Sequence, residues 1–315
     1  MIIQTENLHK RYGKVRALDG LDLHVPAGSV YGFLGPNGAG KTTTLGILSG
    51  LRRADKGKAW MLGEAVRLDA LGQRPQVGVL PEEPAFYPWM TPREYLRDFI
   101  APLYRIERKQ AAHRAGELLE QVGLQRAAER RIGGFSRGMR QRLGLAQALI
   151  HQPAVLLLDE PVSALDPAGR REVLEMIESL RGQCSIVLST HILADVERVC
   201  DMIGIIDNGR MLLEERREDL LRRYVLPIFE IETEDGLGAW PEQARGIAFV
   251  EQVELDGRLA RVHVREIESA RQALLASLAG SGLAVRRFEL VTPSLEDIFL
   301  HLTAPQTAKA EGGQA

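Results

Sequence analysis

A glycine-rich stretch between a strand-prone and a helix-prone segment constrains this chain more than any other feature. Residues 35–42 read GPNGAGKT and fit the pattern G-x-x-x-x-G-K-S/T. The preceding Ser29–Leu34 (SVYGFL) favours a strand, and the following Thr42–Ser49 favours a helix. Glycines let the backbone N–H groups of such a loop converge on phosphate oxygens, and the helix N-terminus adds partial positive charge. The stretch therefore predicts a phosphate-binding loop.

Each position of this loop has an expected role in binding a nucleoside triphosphate and its metal. Lys41 is expected to reach the β- and γ-phosphates, and the Thr42 hydroxyl is expected to ligate magnesium. The other residues predicted to contact the nucleotide here are Gly35, Pro36, Asn37, Gly38, Ala39, Gly40 and Thr43.

Two acids follow an apolar run, Ala154–Leu158 (AVLLL), which is typical of a strand buried on both faces of a parallel sheet. Ligands of such sheets bind at the carboxyl ends of the strands. Adjacent carboxylates there are costly without a cation partner. Asp159 is therefore expected to hold magnesium through water, and Glu160 to polarise the attacking water. The alternative, a solvated strand end, is disfavoured beside the phosphate loop.

Length and pattern predict two domains. The 315 residues suffice for about two domains of ordinary size. Apolar strand runs alternate with helical stretches in the first part, which indicates an α/β fold with a parallel core. A charged stretch, 214–223, predicts a helical connector, and Asp256-Gly257 predicts a hairpin turn beyond it. The predicted boundaries are 1–219 for the first domain with a helical subdomain at about 85–150, 220–303 for a small α+β domain, and 304–315 for a disordered tail.

Composition excludes several classes of protein. Lys and Arg number 40 and Asp and Glu 42, so the net charge of −2 gives no global reason to bind nucleic acid or an anionic membrane. Two cysteines make neither a disulfide framework nor a zinc site. No apolar stretch approaches the ~18–20 residues that span a bilayer. Any action at a membrane is therefore expected to depend on a partner.

Further motifs, in order, make residues 1–220 resemble the ATPase subunit of an ATP-binding cassette (ABC) transporter. Phe135–Met139 (FSRGM) resembles the signature motif LSGGQ, and Ser163–Asp166 (SALD) resembles the D-loop. Taken alone, a histidine, a tyrosine or an S-x-G is weak, but the order and spacing together are specific. The resemblance implies contacts to the γ-phosphate from the opposite subunit by Ser136 and Gly138, coupling across the dimer by Asp166, a γ-phosphate bond by the switch histidine His191, and adenine stacking by Tyr12.

Two positions depart from the common pattern of this family. Glu82 occupies the place of the Q-loop glutamine, where its carboxylate can still ligate magnesium. Arg137 and Met139 replace the first glycine and the glutamine of the signature. Such variants suit the subgroup that serves drug, antibiotic or lipid exporters, and Thr292–Phe299 (TPSLEDIF) resembles the ending of those ATPases. One hypothesis is that Arg137 of one subunit offsets the charge of Glu82 in the other, and its alternative is that Arg137 faces solvent or the permease.

The resemblance implies a P-loop ABC ATPase core with a helical signature subdomain and a small C-terminal α+β domain. It implies ATP and Mg²⁺ as cofactors, and a dimer with a second copy or a paralogous ATPase. The partner would be a separate transmembrane permease at the cytoplasmic face of the cell membrane, with no nucleic acid involved. Export is the expected direction. An importer ATPase and a non-transport ABC ATPase remain alternatives, whereas a GTPase is disfavoured because no N-K-x-D motif occurs.

Overall fold

The computed structural model describes residues 1–68, 74–163, 165–224 and 226–291, with 295, 296, 298 and 299. They divide into two compact units, Met1–Arg217 and Glu218–Ala315. The predicted tail 304–315 lies outside the described residues, as does part of the motif at 292–299. No helix among the described residues is long and apolar enough to cross a membrane.

The first unit contains two sheets and the helices that surround them. Its strands are β1 (Ile3–Tyr12), β2 (Val15–Val25), β3 (Val30–Leu34), β4 (Lys56–Met61), β5 (Glu64–Ala65), β6 (Val77–Leu80), β7 (Val155–Asp159), β8 (Ser185–Thr190), β9 (Met202–Asp207) and β10 (Arg210–Arg216). Its helices are α1 (Lys41–Leu48), α2 (Pro92–Glu94), α3 (Ala101–Leu103), α4 (Arg108–Gln121), α5 (Arg137–Leu149), α6 (Pro167–Ser179) and α7 (Leu193–Val199), and α8 (Arg217–Arg223) spans the boundary between the units. A π-helical segment, Tyr95–Ile100, joins α2 to α3, and short 3₁₀ turns lie at Arg74–Gln76, Gln125–Ala127 and Ile132–Gly134.

The larger sheet confirms the predicted parallel core. Its strand order is β10-β9-β3-β8-β7-β6, and all neighbours pair in parallel except β10, which runs antiparallel to β9. Every residue of β3, β7 and β8 is buried. Because successive side chains point to opposite faces, both faces of the sheet centre are covered. That burial explains why these strands read as continuous apolar runs. The thiols of Cys184 and Cys200 are also buried and free.

The smaller sheet is antiparallel, with the order β2-β1-β4-β5, and the sequence patterns did not predict it. Its inward residues, among them Leu8 and Leu21, share one hydrophobic cluster with Leu45 and Leu48 of α1. This shared core fixes the end of β1, where Tyr12 lies, relative to the helix that follows the phosphate loop.

The prediction of a helical connector at 214–223 is wrong in its first part. Residues 214–216 belong to β10, where Glu214 pairs with Gly204 and Arg216 with Met202 of β9. The Glu214 carboxylate accepts hydrogen bonds from the Tyr31 hydroxyl at 2.6 Å and the His24 backbone N–H at 2.7 Å. These partners lie far away in the chain, so tertiary pairing overrides the helical propensity of the charged run. Helix formation begins only at Arg217.

The helical region between β6 and β7 begins with a reciprocal pair of hydrogen bonds between Thr91 and Glu94. Thr91 Oγ1 accepts a hydrogen bond from the Glu94 N–H at 3.2 Å, and Glu94 Oε2 accepts one from the Thr91 N–H at 2.9 Å. This reciprocal pair is a capping box, which satisfies two N–H groups at the helix start. The signature residues follow at the start of α5, whose N-cap is Ser136.

The second unit has the element order β-α-β-β-α-β and is α+β, as predicted. The elements are β11 (Ile228–Thr233), α9 (Trp240–Arg245), β12 (Val250–Asp256), β13 (Leu259–Val264), α10 (Ile267–Ser281) and β14 (Val285–Leu290). The four strands form an antiparallel sheet in the order β12-β13-β11-β14, the ferredoxin-like arrangement. Its core includes Phe229, Trp240 and Leu274, and the predicted turn at Gly257 has φ +62°.

Candidate active site

The phosphate loop connects β3 to α1, as the sequence predicts. Gly38 and Gly40 have φ values of +83° and +114°, which L side chains rarely adopt. A Cβ added at Gly35 would lie 2.3 Å from the Ile206 carbonyl oxygen, so a larger residue would collide with the backbone. Gly40 caps α1 without a side-chain hydrogen bond. The N–H groups of the first turn therefore have no capping side chain and can serve an anion.

Lys41 is only 6% exposed, and its ammonium lies inside the loop. Nζ donates to the carbonyl oxygens of Gly35 at 2.6 Å and Pro36 at 3.2 Å, and it is 3.6 Å from Glu160 Oε1. Burial lowers the pKa of Lys41, and the carboxylates of Glu160 and Asp159 oppose that shift. The lysine is thus held among oxygen atoms by contacts that phosphate oxygens can replace.

The two predicted acids lie at the carboxyl end of β7 and are both buried. The Ser189 hydroxyl on neighbouring β8 donates to Asp159 Oδ1. The Glu160 N–H lies 3.1 Å from the Ser189 carbonyl oxygen and 3.2 Å from its hydroxyl oxygen. Ser189 therefore orients both acids, a role that the sequence analysis did not assign. Its position at the end of the next apolar run was the available signal.

Glu160 adopts the left-handed backbone region with φ +48°. This conformation is uncommon for a residue other than glycine and costs of order 1–3 kcal/mol. In this conformation the Glu160 carboxylate contacts His191, whose Nδ1 lies 3.0 Å from both Oε1 and Oε2. The structure thus joins Lys41, Glu160 and His191 in one cluster at the end of the parallel sheet.

Glu82 lies within electrostatic reach of this cluster, because its charge also acts on the pKa of Lys41. Thr42 is exposed and Thr43 is buried in the first turn of α1. The neighbouring Glu83 lies 3.7 Å from Arg137, measured between Oε1 and Nη2 within the same chain. Arg137 therefore has a partner in its own subunit, which competes with the pairing to Glu82 across a dimer.

Three further predicted site residues, Ser136, Gly138 and Asp166, lie at helix starts. Ser136 Oγ accepts a hydrogen bond from the Met139 N–H at 3.2 Å, and Gly138 follows in the first turn of α5. Asp166 Oδ1 accepts one from the Gly169 N–H at 3.1 Å and caps α6. Across the described part of the chain, the side-chain hydrogen bonds of Ser136 and Asp166 stay within their own helices. Within the described residues of one chain, therefore, no side-chain hydrogen bond connects Ser136 or Asp166 to the phosphate loop.

Tyr12 ends β1 and is 43% exposed. The Arg52 guanidinium donates to its hydroxyl at 2.9 Å and lies 5.7 Å from the ring centroid, and Lys10 Nζ lies 5.5 Å from that centroid. These cations hold the ring by cation–π attraction. Arg52 was not predicted, since its contact with Tyr12 depends on strand pairing between β1 and β4.

A parallel sheet with a phosphate loop, a buried lysine and strand-end acids defines a P-loop nucleoside triphosphate hydrolase. Residues 18–163 match the family model described as ABC transporter, and residues 216–303 match the model of the DrrA1-3-like C-terminal domain of an ATP-binding protein.

Full-length relatives narrow the class further. The chain is 41% identical over 299 residues to the uncharacterized ABC transporter ATP-binding protein YxlF of Bacillus subtilis (strain 168), covering 95% of this chain and 98% of the relative. It is 37% identical to the daunorubicin resistance ATP-binding protein DrrA2 of Streptomyces coeruleorubidus, covering 99% and 98%.

A solved structure described as the ATP-binding subunit of an ABC transporter matches with a TM-score of 0.65 at 30% identity, covering 71% of this chain and 93% of the other. The chain belongs to the ATP-binding proteins of ABC transporters. It is an ATPase that powers transport, and the predicted family and fold class are confirmed.

Proposed function

We propose that this chain hydrolyses Mg-ATP as a dimer to drive export through a separate membrane permease. The observation that carries the proposal is the cluster of buried Lys41 and Glu160 with exposed His191 beside the phosphate loop. Two comparisons support export: the similarity to the daunorubicin resistance ATP-binding protein DrrA2, and the match of residues 216–303 to the DrrA1-3-like C-terminal domain.

The oxygen atoms at the loop suit magnesium. Thr42 offers an exposed hydroxyl, and the carboxylates of Asp159 and Glu82 both raise the pKa of Lys41, so they lie within electrostatic reach of its ammonium. Hydroxyl and carboxylate oxygens are the hard ligands that Mg²⁺ prefers. We assign these three residues to the metal, which when bound would neutralise charge on the phosphates.

Glu160 is assigned as the general base. Its carboxylate, fixed between the Lys41 ammonium and the His191 ring, would accept the proton of the attacking water. Since His191 uses Nδ1 toward Glu160 and its side chain is 45% exposed, we assign its other ring nitrogen to the γ-phosphate. Gly35–Thr43 would hold the phosphates, and Tyr12 would stack on adenine.

The dimer supplies the rest of the proposed site. Ser136 and Gly138 at the start of α5 would contact the γ-phosphate bound by the opposite subunit, where the helix N-terminus favours negative charge. Asp166 would couple the two sites. Two ATP molecules would be enclosed between a phosphate loop and a signature helix, so binding closes the dimer and hydrolysis reopens it.

An exposed aromatic cluster is the proposed permease contact. Tyr87 stacks edge-on against Phe99 with ring centroids 4.9 Å apart, and Trp89 lies 5.0 Å from Tyr87. Trp89 is 63% exposed, although large aromatic side chains are normally well buried. Exposed aromatic clusters of this kind are typical of binding surfaces. Attachment there would hold the ATPase at the cytoplasmic face of the membrane.

The experiment is transport in membrane vesicles that contain this chain and its permease. Inside-out vesicles should accumulate the exported compound only with ATP, and Glu160→Gln should abolish accumulation. The variant Glu178→Gln, an exposed glutamate on α6, is the matched control and should transport normally. Uptake into right-side-out vesicles that requires a solute-binding protein would instead identify an importer and overturn the proposal.

A further inference from the structure

A groove beside the antiparallel sheet concentrates positive charge on a chain whose net charge is −2. The groove has a volume of about 590 Å³. Its basic residues, here called the basic groove, are Arg52, Arg53, Lys56, Lys58 and Arg67. Among the described residues that line it, the one acid is Asp55, so their formal charge is strongly positive.

Most of this charge has no ion-pair partner among the residues that the structure describes. Asp55 is already used, because its carboxylate accepts hydrogen bonds from Lys10 Nζ at 2.9 Å and from the Arg11 N–H at 2.7 Å. Over the described residues, no ion pair forms at Arg53, at either lysine, or at Arg67. Unpaired cations that converge on one groove attract a polyanion or an anionic surface.

The groove is also apolar underneath and at its margin. Its floor includes Leu8, Ile47 and Ala59. Leu68 at its edge is 42% exposed, and nearby Leu51 is 70% exposed. Exposed aliphatic side chains beside cations suit the boundary between lipid headgroups and acyl chains. Single-stranded nucleic acid would instead favour exposed aromatic side chains for base stacking, whereas Trp60, which also lines the groove, is half-buried.

The groove adjoins the region proposed above to face the permease. A second cavity, of about 280 Å³, shares Val66, Arg67 and Leu68 with it. That cavity is also lined by Tyr104, which directly follows α3, and α3 in turn follows the π-helical segment that contains Phe99. This step rests on the proposed function, because it takes the aromatic cluster as the side that meets the membrane protein.

We propose that the basic groove binds anionic phospholipid headgroups of the membrane surface, as a second attachment beside the permease. Each basic residue near an anionic bilayer strengthens binding about fivefold. The interaction should weaken with salt, because exposed charges are screened within a Debye length. A neutral bilayer offers the apolar contact alone and should retain little protein.

The test measures sedimentation of the full chain with vesicles of phosphatidylcholine alone or of phosphatidylcholine mixed with phosphatidylglycerol. The variant replaces Arg53, Lys56, Lys58 and Arg67 with glutamine and leaves Arg52 in place because it contacts Tyr12. The control removes the same charge elsewhere, through glutamine at exposed Lys109, Arg126, Arg171 and Arg258. Binding to phosphatidylglycerol vesicles should fall at least about tenfold in the groove variant and much less in the control.

Each outcome decides the proposal. Equal losses in the two variants would assign the binding to net charge and overturn it, as would equal binding of the native chain to neutral and anionic vesicles. Unchanged vesicle binding together with weaker co-purification of the permease would assign the groove to a protein partner. Preferential, groove-dependent binding of RNA over anionic vesicles would assign it to nucleic acid. ATP hydrolysis by the groove variant in detergent, measured in parallel, tests the proposed function separately, since none of the replaced residues belongs to the active site.

Discussion

The proposed active site has a buried half and an exposed half, and the two are stabilised in different ways. In the buried half, Lys41, Asp159 and Glu160 are each less than a tenth exposed and contact backbone carbonyls, Ser189 or His191. In the exposed half, Ser136 and Asp166 only cap their own helices. The proposed hydrolytic groups are thus held in place by contacts within one chain, whereas the side-chain hydrogen bonds of Ser136 and Asp166, over the described residues, do not reach the phosphate loop. Mutations should therefore separate the groups that hydrolyse ATP within one chain from the groups that make hydrolysis depend on dimerisation.

The largest expected effect is in the buried half, at Glu160. Replacing the proposed base, Glu160→Gln, should lower ATP turnover by roughly 10²–10⁴-fold. The amide keeps the volume, so ATP binding should persist and an ATP-bound dimer should accumulate. Phosphate release and size-exclusion chromatography measure the two effects. Turnover close to wild type would remove Glu160 from the mechanism.

Lys41→Met tests the same half at the level of binding. Loss of a charged hydrogen-bond donor should weaken ATP binding about 10- to 100-fold, measured by titration with a fluorescent ATP analogue. The free protein has a lowered pKa at Lys41, and bound phosphates would raise it again. Affinity should therefore fall as the pH rises toward the ordinary value of 10.5, because the free lysine loses its proton first. If ATP affinity of the Lys41→Met variant fell with pH in the same way as that of the native chain, a group other than Lys41 would cause the pH dependence.

Substitution of Ser136 probes the exposed half. Ser136→Ala removes the cap of α5 at a cost of about 1 kcal/mol. ATP binding by the monomer should be unchanged, while turnover should fall about tenfold through loss of one hydrogen bond to the γ-phosphate of the opposite subunit. Ser136→Asp restores the cap but adds negative charge next to that phosphate. If Asp rescues turnover, Ser136 acts as a helix cap only, and the division into two halves fails.

The smallest effect is expected at Arg137. Its contact with Glu83 joins two exposed side chains, and such pairs contribute about 0–1 kcal/mol. A double-mutant cycle on turnover with Glu82→Gln and Arg137→Gly should give a coupling below about 0.3 kcal/mol. The same cycle with Glu83→Gln in place of Glu82→Gln measures the coupling energy between Arg137 and its ion-pair partner in the same chain. A larger coupling to Glu82 than to Glu83 would support pairing across the dimer.

The sequence predicted the parts of the site that depend on local pattern. The phosphate loop and the strand-end acids each follow from a few consecutive residues. Contacts between distant segments were not predictable in this way. Ser189 binds Asp159 because β7 and β8 are neighbours, and Glu214 lies in a strand because β10 pairs with β9. The antiparallel sheet was missed for the same reason, since its pairing brings Arg52 to Tyr12 only after folding.

The reactivity of the two cysteines can report unfolding of one unit of the chain. Burial raises the pKa of Cys184 to about 11 and shifts the pKa of Cys200 upward as well, so neither forms a reactive thiolate near neutral pH in the folded protein. Both belong to Met1–Arg217, and residues 218–315 contain no cysteine. Alkylation should therefore report the opening of the ATPase unit alone. A cysteine introduced at an exposed helix start would react faster with an alkylating reagent than the two buried thiols. A slower alkylation of that cysteine in the presence of ATP would then measure the fraction of subunits in the closed dimer.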